Sequence, residues 1–400
     1  MIHNFTLKRG GAERLLFTLS NLLQSRGYEV DIYVLEDDPV ECFPELRACL
    51  NVKAVSRSFR SRIIRSTGTF IPVTAAARIV SAIQGRYDVI HAHNFPANIA
   101  AFLATKSRLR GVPFIWGCNE PYRLMYDPAE QYRFRNYGLT SACGRLMRLG
   151  LVKLLETSSV FDRYATKSAY AVTVLSEFTA SQIKAIYGVN PVVIHPGVEN
   201  LTARANGQLV RDKFRIGTSP LVLTVSRLWP AKDVATGLRA FNIFVQKVPD
   251  AFYMIVGDGP ILDDLVALSR QLGIEKRCFF IGDREAAEIG GLSHFYAACN
   301  VFLFTAIDEP WGFVPLEAMC FAKPVVISAS GGPMEYVQHH LTGMMAKPSD
   351  PNSFAAELLE VFQYPDVAAK MGETASRVAA AYSWEEMANA YDQLYSAAVT

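Results

Sequence analysis

The chain has 400 residues, half of them hydrophobic and a fifth charged. This length exceeds what one hydrophobic core usually serves, and the composition excludes a disordered or fibrous protein, so we expect two globular domains. The sequence contains neither an apolar run long enough to cross a membrane nor a signal peptide at its start. The seven cysteines form no CxxC pair, which is typical of reduced thiols, and together these features predict a cytoplasmic protein.

The net charge of +2 conceals an asymmetry between the two halves. Residues 1–200 carry 24 Lys and Arg against 16 Asp and Glu, about +8, and residues 201–400 carry 16 against 22, about −6. Basic residues recur among apolar ones at 55–73 and 133–155. This pattern is typical of a surface that rests on anionic lipid headgroups, and equally of a solvated helix face, so both interpretations remain open. No helix-turn-helix, zinc or RNP-type signature accompanies the charge, and we expect no nucleic-acid partner.

Short β-branched segments alternate with amphipathic ones along the chain, starting with a strand at 28–35. This alternation predicts βαβ units around parallel sheets, an α/β fold. The other predicted strands span 87–93, 112–118, 169–177, 191–197, 220–228, 251–259, 278–283, 300–306 and 324–330.

A polar stretch with Gly and Pro at 196–220 interrupts this alternation and predicts the domain boundary. We therefore expect two doubly wound, Rossmann-like domains over 1–195 and 196–382, with a terminal helix at about 383–400 that packs back near the first domain. Ligands bind such sheets beyond the carboxyl ends of their strands. If two such edges face each other, the active site is the cleft between them.

The most informative segment, 308-DEPWGFVPLEAMCFAKPVVISASGGPMEYV, follows a predicted strand and leads into a helix. The N-terminus of a helix gathers unpaired N–H groups and suits a diphosphate. Glu309 and Glu317 flank this turn, and carboxylates can accept hydrogen bonds from sugar or ribose hydroxyls. The structural alternative is that Glu309 caps the helix and Glu317 is solvated.

Two cations, Arg227 and Lys232, lie on the loop 226-SRLWPAKD after another predicted strand. They could neutralise a departing diphosphate, the main catalytic need when a glycosyl bond breaks. The structural alternative is that they are two surface cations on a loop. The turn 256-VGDGP, with Gly257, follows the next strand. It is weak evidence alone, since such turns are common between strands and helices.

Together these residues resemble the family-4 retaining glycosyltransferases of the GT-B fold, along nearly the whole chain. The E-x7-E motif of that family corresponds to Glu309 and Glu317, its cationic pair to Arg227 and Lys232, and its glycine turn to 256-VGDGP. The resemblance implies that Glu309 binds the transferred sugar and Glu317 the ribose. It further implies that the nucleotide sugar meets the backbone of Ile281 and Gly282 at the base, and of Gly312, Phe313 and Val314 at the sugar and phosphates.

In the first half, Gly10 and Gly11 within 10-GGAER match the glycines that let the backbone approach donor phosphates or acceptor. Nine residues precede them, so either the first strand is minimal or the start of the chain is a little late. His93, in 88-DVIHAHN, is either a substrate contact or a buried structural histidine. In 116-WGCNEPYR many relatives have histidine where this sequence has Asn119, which cannot carry a proton. Glu120 and Arg123 follow it and complete the predicted acceptor or sugar pocket.

The resemblance implies transfer of a hexose, with mannose from GDP-mannose as the working hypothesis, to a glycan or lipid-linked acceptor at the cytoplasmic face of a membrane. We expect no cofactor and no metal, because Arg227 and Lys232 can neutralise the diphosphate. Two alternatives remain open. One is an epimerase or hydrolase of nucleotide sugars with the same fold, and the other is a nucleotide-sugar-binding subunit without activity, for which Asn119 is the motivation.

Overall fold

A computed structural model describes residues 1–3, 7, 10–39, 42–55, 72–127 and 142–400. The described chain divides into two compact units. The first comprises Met1–Pro196 and Trp384–Thr400, and the second comprises Gly197–Ser383. For comparison, the sequence predicted that the first domain ends at 195 and that the terminal helix begins at about 383.

The first unit is built on parallel strands that are short and mostly buried. Its strands are β1 (Asp31–Val34), β2 (Asn51–Ala54), β3 (Ile90–His93), β4 (Phe114–Gly117), β5 (Ala171–Val174) and β6 (Val192–Val193). Its helices are α1 (Gly11–Ser25), α2 (Pro44–Arg47), α3 (Pro72–Ala82), α4 (Ala97–Thr105), α5 (Arg123–Tyr126), α6 (Ala142–Lys167) and α7 (Glu177–Tyr187).

Ile2 supplies the centre of this sheet. It forms parallel bridges with Tyr33 of β1 and Ala92 of β3, so the pair β1–β2 and the run β3–β4–β5–β6 meet across it. Its N–H donates to the His91 carbonyl at 2.8 Å, and its own carbonyl accepts from the His93 N–H at 2.8 Å. Backbone hydrogen bonds of Met1, Ile2 and His3 therefore occupy the position of the minimal first strand that the sequence suggested.

The second unit contains a six-stranded parallel sheet in the order β12-β11-β10-β7-β8-β9. Its strands are β7 (Leu221–Val225), β8 (Phe252–Val256), β9 (Cys278–Ile281), β10 (Val301–Phe304), β11 (Val325–Ser328) and β12 (Met344–Ala346). Its helices are α8 (Gly207–Lys213), α9 (Val234–Val245), α10 (Leu262–Gln271), α11 (Asp283–Ile289), α12 (Leu292–Ala298), α13 (Phe313–Cys320), α14 (Pro351–Gln363) and α15 (Pro365–Ala379).

The strand order reverses between β7 and β10, which are neighbours in space although β8 and β9 separate them in the chain. Loops that leave two such strands diverge to opposite sides of the sheet and open a crevice, the usual ligand site of a doubly wound sheet. The side chains of β7 and β10 are fully buried, so the chemistry at this point must come from the loops.

The terminal helix α16 (Trp384–Val399) packs on the first unit. The hydroxyl of Tyr395 lies 2.6 Å from His91 Nδ1 on β3, and that of Tyr391 lies 3.0 Å from Thr173 Oγ1 on β5. Both tyrosines are buried, so the helix covers the sheet through polar contacts within an apolar layer.

The predicted strands are confirmed as elements, each shorter than its apolar segment. Two strands, β2 and β12, were not predicted, because their sequences NVKA and MMA contain one β-branched residue and none and so form no β-branched run. The predicted linker at 196–220 contains a short helix, α8, which the sequence analysis did not assign. Asn206 explains it: its side chain accepts from the Gln208 N–H and caps the helix, and Val210 anchors the helix by burial.

Candidate active site

Lys232 and Glu309, on the loops that follow β7 and β10, form an ion pair at the switch point. Two hydrogen bonds fix the loops to each other: the Thr305 hydroxyl donates to the Lys232 carbonyl at 3.0 Å, and the Ile307 N–H donates to the Ala231 carbonyl at 3.2 Å. The side chains of the pair are only 16% and 21% exposed. Partial burial strengthens their attraction compared with a surface pair, and the tied backbone limits the entropy that the pair loses.

A double-glycine turn supports the loop of Glu309 from the neighbouring strand β11. The Gly332 N–H donates to the Glu309 carbonyl at 2.8 Å. A Cβ on Gly331 would lie 2.5 Å from that carbonyl oxygen, and a Cβ on Gly332 would lie 2.2 Å from the Pro310 oxygen. Gly331 also has a φ of +82°, in the region that favours glycine. Only glycines allow the two loops to approach this closely.

Gly312 precedes α13 with a φ of +79° and without a side-chain cap. The buried Tyr336 hydroxyl donates to the Gly312 carbonyl at 2.6 Å and fixes the turn. Gly312 therefore occupies the N-cap position of α13, and the alternative in which Glu309 caps the helix stays a prediction. Phe313 and Val314 are the first two residues of α13, at its N-terminus, where the positive end of the helix dipole lies.

Glu317 lies one turn into α13, and it is buried rather than solvated, with 6% exposure. The hydroxyl of Tyr296 on α12 donates to Glu317 Oε2 at 2.7 Å. A buried carboxylate is costly unless it is hydrogen-bonded, so this contact compensates the burial. The sequence analysis missed Tyr296, because it stands 21 positions before Glu317 with no motif that joins them.

Arg227, on the same loop as Lys232, is exposed. The turn 256-VGDGP contacts the loop that carries Arg227: the Leu228 N–H donates to the Asp258 carbonyl at 2.8 Å. A Cβ on Gly257, which has a φ of +135°, would lie 2.1 Å from the Ser226 carbonyl oxygen, so the glycine is required by close approach. The turn that was weak evidence in the sequence therefore shapes the loop that carries both cations.

The turn 256-VGDGP also contacts the segment around Ile281 and Gly282, which is predicted to meet the base of the donor. The Asp258 carboxylate accepts from the Asp283 N–H at 2.8 Å, and the Ile281 carbonyl accepts from the Gly257 N–H at 2.8 Å. Ile281 and Gly282, at the end of β9, are thus fixed to the loop after β8. The structure brings all predicted residues of the second unit to one edge of one sheet, while their roles toward a ligand stay predictions.

In the first unit, His93 ends β3 with its ring buried and 3.9 Å from the ring of His91, measured between centroids. Burial and the neighbouring His91 and His3 hold the pKa of His93 well below its ordinary value, so the imidazole is neutral at pH 7. The ring packs as a buried structural histidine does, and its direct contact with a substrate stays a prediction. Gly10 and Gly11 lie at the start of α1, where Glu13 Oε1 is 3.3 Å from His3 Nε2.

Asn119 follows β4, and its N–H donates to Asn94 Oδ1 at 3.0 Å. Asn94 follows the neighbouring β3 with a φ of +62°, a conformation that asparagine tolerates. Glu120 and Arg123 form an ion pair three residues apart. Asn119 is therefore hydrogen-bonded to the loop that follows β3. The sequence predicted that Asn119 and His93 share a pocket, and the residue of this region that Asn119 contacts is Asn94.

A buried carboxylate anchors the helix that follows this segment. Asp162 on α6 accepts from Asn98 at 2.6 Å, from Tyr126 at 2.6 Å and from Tyr187 at 2.7 Å. Burial raises the pKa of Asp162 against the opposing effect of these donors. Because Tyr126 ends α5, the network ties the segment 119–126 to the long helix α6.

Solved structures with this architecture match the chain over its whole length. Anabaena HepE, solved in complex with UDP-glucose, superposes with a TM-score of 0.71 at 20% identity, covering 99% of this chain and 100% of that one. Sucrose-phosphate synthase from Thermosynechococcus elongatus gives 0.73 at 19% identity, covering 99% and 98%. Two Rossmann-like domains with parallel sheets define the GT-B class of glycosyltransferases, and the fold predicted from the sequence is confirmed.

Family models and relatives then identify the chain. Residues 9–200 match the model of Glycosyltransferase Family 4, and residues 208–378 match that of Glycosyl transferases group 1. The GDP-mannose-dependent alpha-(1-6)-phosphatidylinositol monomannoside mannosyltransferase of Mycobacterium tuberculosis is 30% identical over 96% of this chain and 94% of its own length. The Alpha-1,3/1,6-mannosyltransferase ALG2 of Mus musculus is 26% identical over 96% and 92%. The chain belongs to glycosyltransferase family 4, and it is a glycosyltransferase.

Proposed function

We propose that this enzyme transfers mannose from GDP-mannose to a hydroxyl of a glycan or lipid-linked acceptor, with retention at the anomeric carbon. The observation that supports the proposal is the Lys232–Glu309 pair at the switch point, because an ammonium suits phosphate and a carboxylate suits sugar hydroxyls. The names of the relatives support mannose, since both the bacterial and the mouse protein are called mannosyltransferases, and the name of the bacterial protein adds support for GDP-mannose as the donor.

In the proposed reaction the bond between the anomeric carbon and the diphosphate oxygen breaks, and its electron pair leaves with the diphosphate. Arg227 and Lys232 stabilise the developing negative charge. The acceptor hydroxyl forms the new bond on the same face of the sugar, and its proton passes to the leaving diphosphate. The Glu309 carboxylate accepts hydrogen bonds from hydroxyls of the sugar, and the first turn of α13 binds the phosphates through backbone N–H groups. This route needs no imidazole at Asn119.

The test is product formation from GDP-mannose, UDP-glucose and ADP-glucose with a membrane extract of the source cell as acceptor. We expect release of GDP together with label from mannose in a lipid or glycan fraction. Free mannose or an epimer as the sole product would favour the epimerase or hydrolase instead. Binding of GDP without any turnover would favour the inactive binding subunit.

We also propose that Arg227 and Lys232 neutralise the diphosphate in place of a metal ion. Excess EDTA should therefore leave the transfer rate unchanged, and a rate that requires Mg²⁺ would contradict this.

We further propose that the first unit rests on the cytoplasmic face of a membrane through an exposed face of α6. This face, called the α6 face, combines apolar and basic side chains with one acidic side chain at helical spacing: Leu149, Lys153, Glu156, Val160, Phe161, Arg163, Tyr164 and Lys167. Val160 and Phe161 are 68% and 58% exposed, an unusual state for large apolar side chains at adjacent positions. Such a mixture suits the headgroup layer of an anionic membrane.

None of the described helices is long and apolar enough to span a membrane. The predicted basic segment 55–73 lies almost wholly outside the described residues, as does the first part of 133–155.

Flotation with phosphatidylcholine vesicles, with and without phosphatidylglycerol, tests the α6 face. We expect binding only with phosphatidylglycerol, and Val160→Ser with Phe161→Ser should lower the bound fraction about tenfold, because two apolar side chains no longer enter the layer. The matched control is Tyr364→Ser with Val367→Ser, which removes two similarly exposed apolar side chains from the second unit. Equal binding by the two double variants would contradict the proposal.

A further inference from the structure

Tyr296 is a buried polar residue of the second unit with no role in the reaction described above. Its side chain is 1% exposed, and its hydroxyl donates to Glu317 Oε2 at 2.7 Å. Its ring packs against Phe302 on β10 and Phe321 after α13, with centroids 5.7 Å and 5.6 Å away. The ring is therefore held on both sides, and the hydroxyl has a fixed position.

The helix that carries Tyr296 is itself fixed. Lys323 Nζ donates to the Ala297 carbonyl at 3.0 Å, and Arg211 Nε donates to the Ala298 carbonyl at 3.0 Å. These contacts satisfy carbonyls at the end of α12, where the helix itself offers no donors. Tyr296 thus reaches Glu317 from a helix whose C-terminal end is held by Lys323 and Arg211.

Glu317 has three rotatable side-chain bonds, and a carboxylate that recognises two adjacent hydroxyls must present its oxygens in one orientation. A hydrogen bond to a charged acceptor is among the stronger ones, and fixing a binding group beforehand removes an entropy cost from ligand binding. We propose that Tyr296 is a positioning residue, which fixes the Glu317 carboxylate for recognition of the ribose hydroxyls of the donor. This inference rests on the proposed function, in which Glu317 binds the ribose.

The readout is the ratio of dissociation constants for 2′,3′-dideoxyGDP and GDP, measured by calorimetry. We expect the wild type to prefer GDP by about 30-fold, and Tyr296→Phe to reduce this preference below about fivefold, because a mobile carboxylate gains less from the hydroxyls. The change should come from weaker GDP binding, with binding of the dideoxy compound nearly unchanged. Phenylalanine keeps the ring packing, so the fold should survive.

Tyr253→Phe is the matched control. Tyr253 is fully buried on β8 of the same unit, and its hydroxyl lies 2.8 Å from Thr224 Oγ1 rather than near a carboxylate. It should keep the wild-type ratio. Glu317→Gln should lose the preference by itself, and Tyr296→Phe added to it should change the GDP dissociation constant less than about twofold.

The outcomes separate the two proposals. A wild type that binds GDP with the expected preference, which Tyr296→Phe retains, overturns the positioning role and leaves the proposed function standing. A wild type that binds both compounds equally overturns the ribose role of Glu317 and this inference with it. A wild type that binds neither overturns the proposed donor as well. A ratio that falls equally in Tyr253→Phe attributes the effect to general loosening of the sheet and also overturns the inference.

Discussion

Lys232→Ala is expected to lower kcat/KM for transfer by about 100- to 1,000-fold, the usual loss when one fixed charge is removed from a site of developing negative charge. The physical reason is specific to its position. The Lys232 carbonyl is held by Thr305, and its ammonium contacts Glu309, so the charge stands at the switch point before any ligand arrives. GDP affinity should fall about tenfold in parallel, since a charge-assisted contact to phosphate is lost.

Glu309→Gln should separate binding from turnover. It keeps Lys232 and the loop but removes the carboxylate proposed to hold the sugar, so kcat should fall about 100-fold while GDP binds within about threefold of the wild type.

Lys247→Ala is the matched control for Lys232→Ala, because Lys247 is an exposed lysine just after α9 in the same unit. Glu373→Gln, exposed on α15, serves for the carboxylate. If Lys232→Ala and Glu309→Gln both turned over at the wild-type rate, the assignment of the active site to these two residues would be wrong.

Gly331→Ala is expected to cost both stability and activity. Alanine at a φ of +82° is strained, and its Cβ would lie 2.5 Å from the Glu309 carbonyl oxygen, so the loop of Glu309 must move. We expect the free energy of unfolding to fall by about 3 kcal/mol, from backbone strain and overpacking together. Displacement of a catalytic loop by about 1 Å should lower kcat/KM about 100-fold.

Gly273→Ala separates these two causes. Gly273 has a similar φ of +73°, yet its added Cβ would meet nothing within 4 Å. It should therefore show the strain alone, about 1 kcal/mol, with unchanged kcat/KM. Urea denaturation and the transfer assay measure both quantities for the two variants. Equal losses of activity in Gly331→Ala and Gly273→Ala would show that the contact with the Glu309 loop is unimportant.

Local chemistry made much of the second unit predictable. Most of its strands are short apolar runs. The segments SRLWPAKD, VGDGP and DEPWG, which follow β7, β8 and β10, contain the Gly, Pro and Asp residues that are typical of turns. The alternation of the two patterns leaves few topologies, since parallel strands need crossover helices. The resemblance to family 4 then assigned roles to Glu309, Glu317, Arg227 and Lys232 as predictions.

Contacts between distant positions could not be predicted in this way. Nothing in the sequence pairs Tyr296 with Glu317, Asn94 with Asn119, or Asp162 with its three donors, because each pair joins separate elements whose side chains meet only after packing.

The sequence by itself determined the α/β class, nearly all the strands and the loops that carry the charges, because periodicity and turn chemistry are local properties. Only the tertiary structure decided which of these charges touch. It put β10 beside β7, brought Lys232 to Glu309, and buried Glu317 against a tyrosine. Those outcomes depend on strand order and on the close approach of backbones at Gly257, Gly331 and Gly332, which long-range packing alone sets.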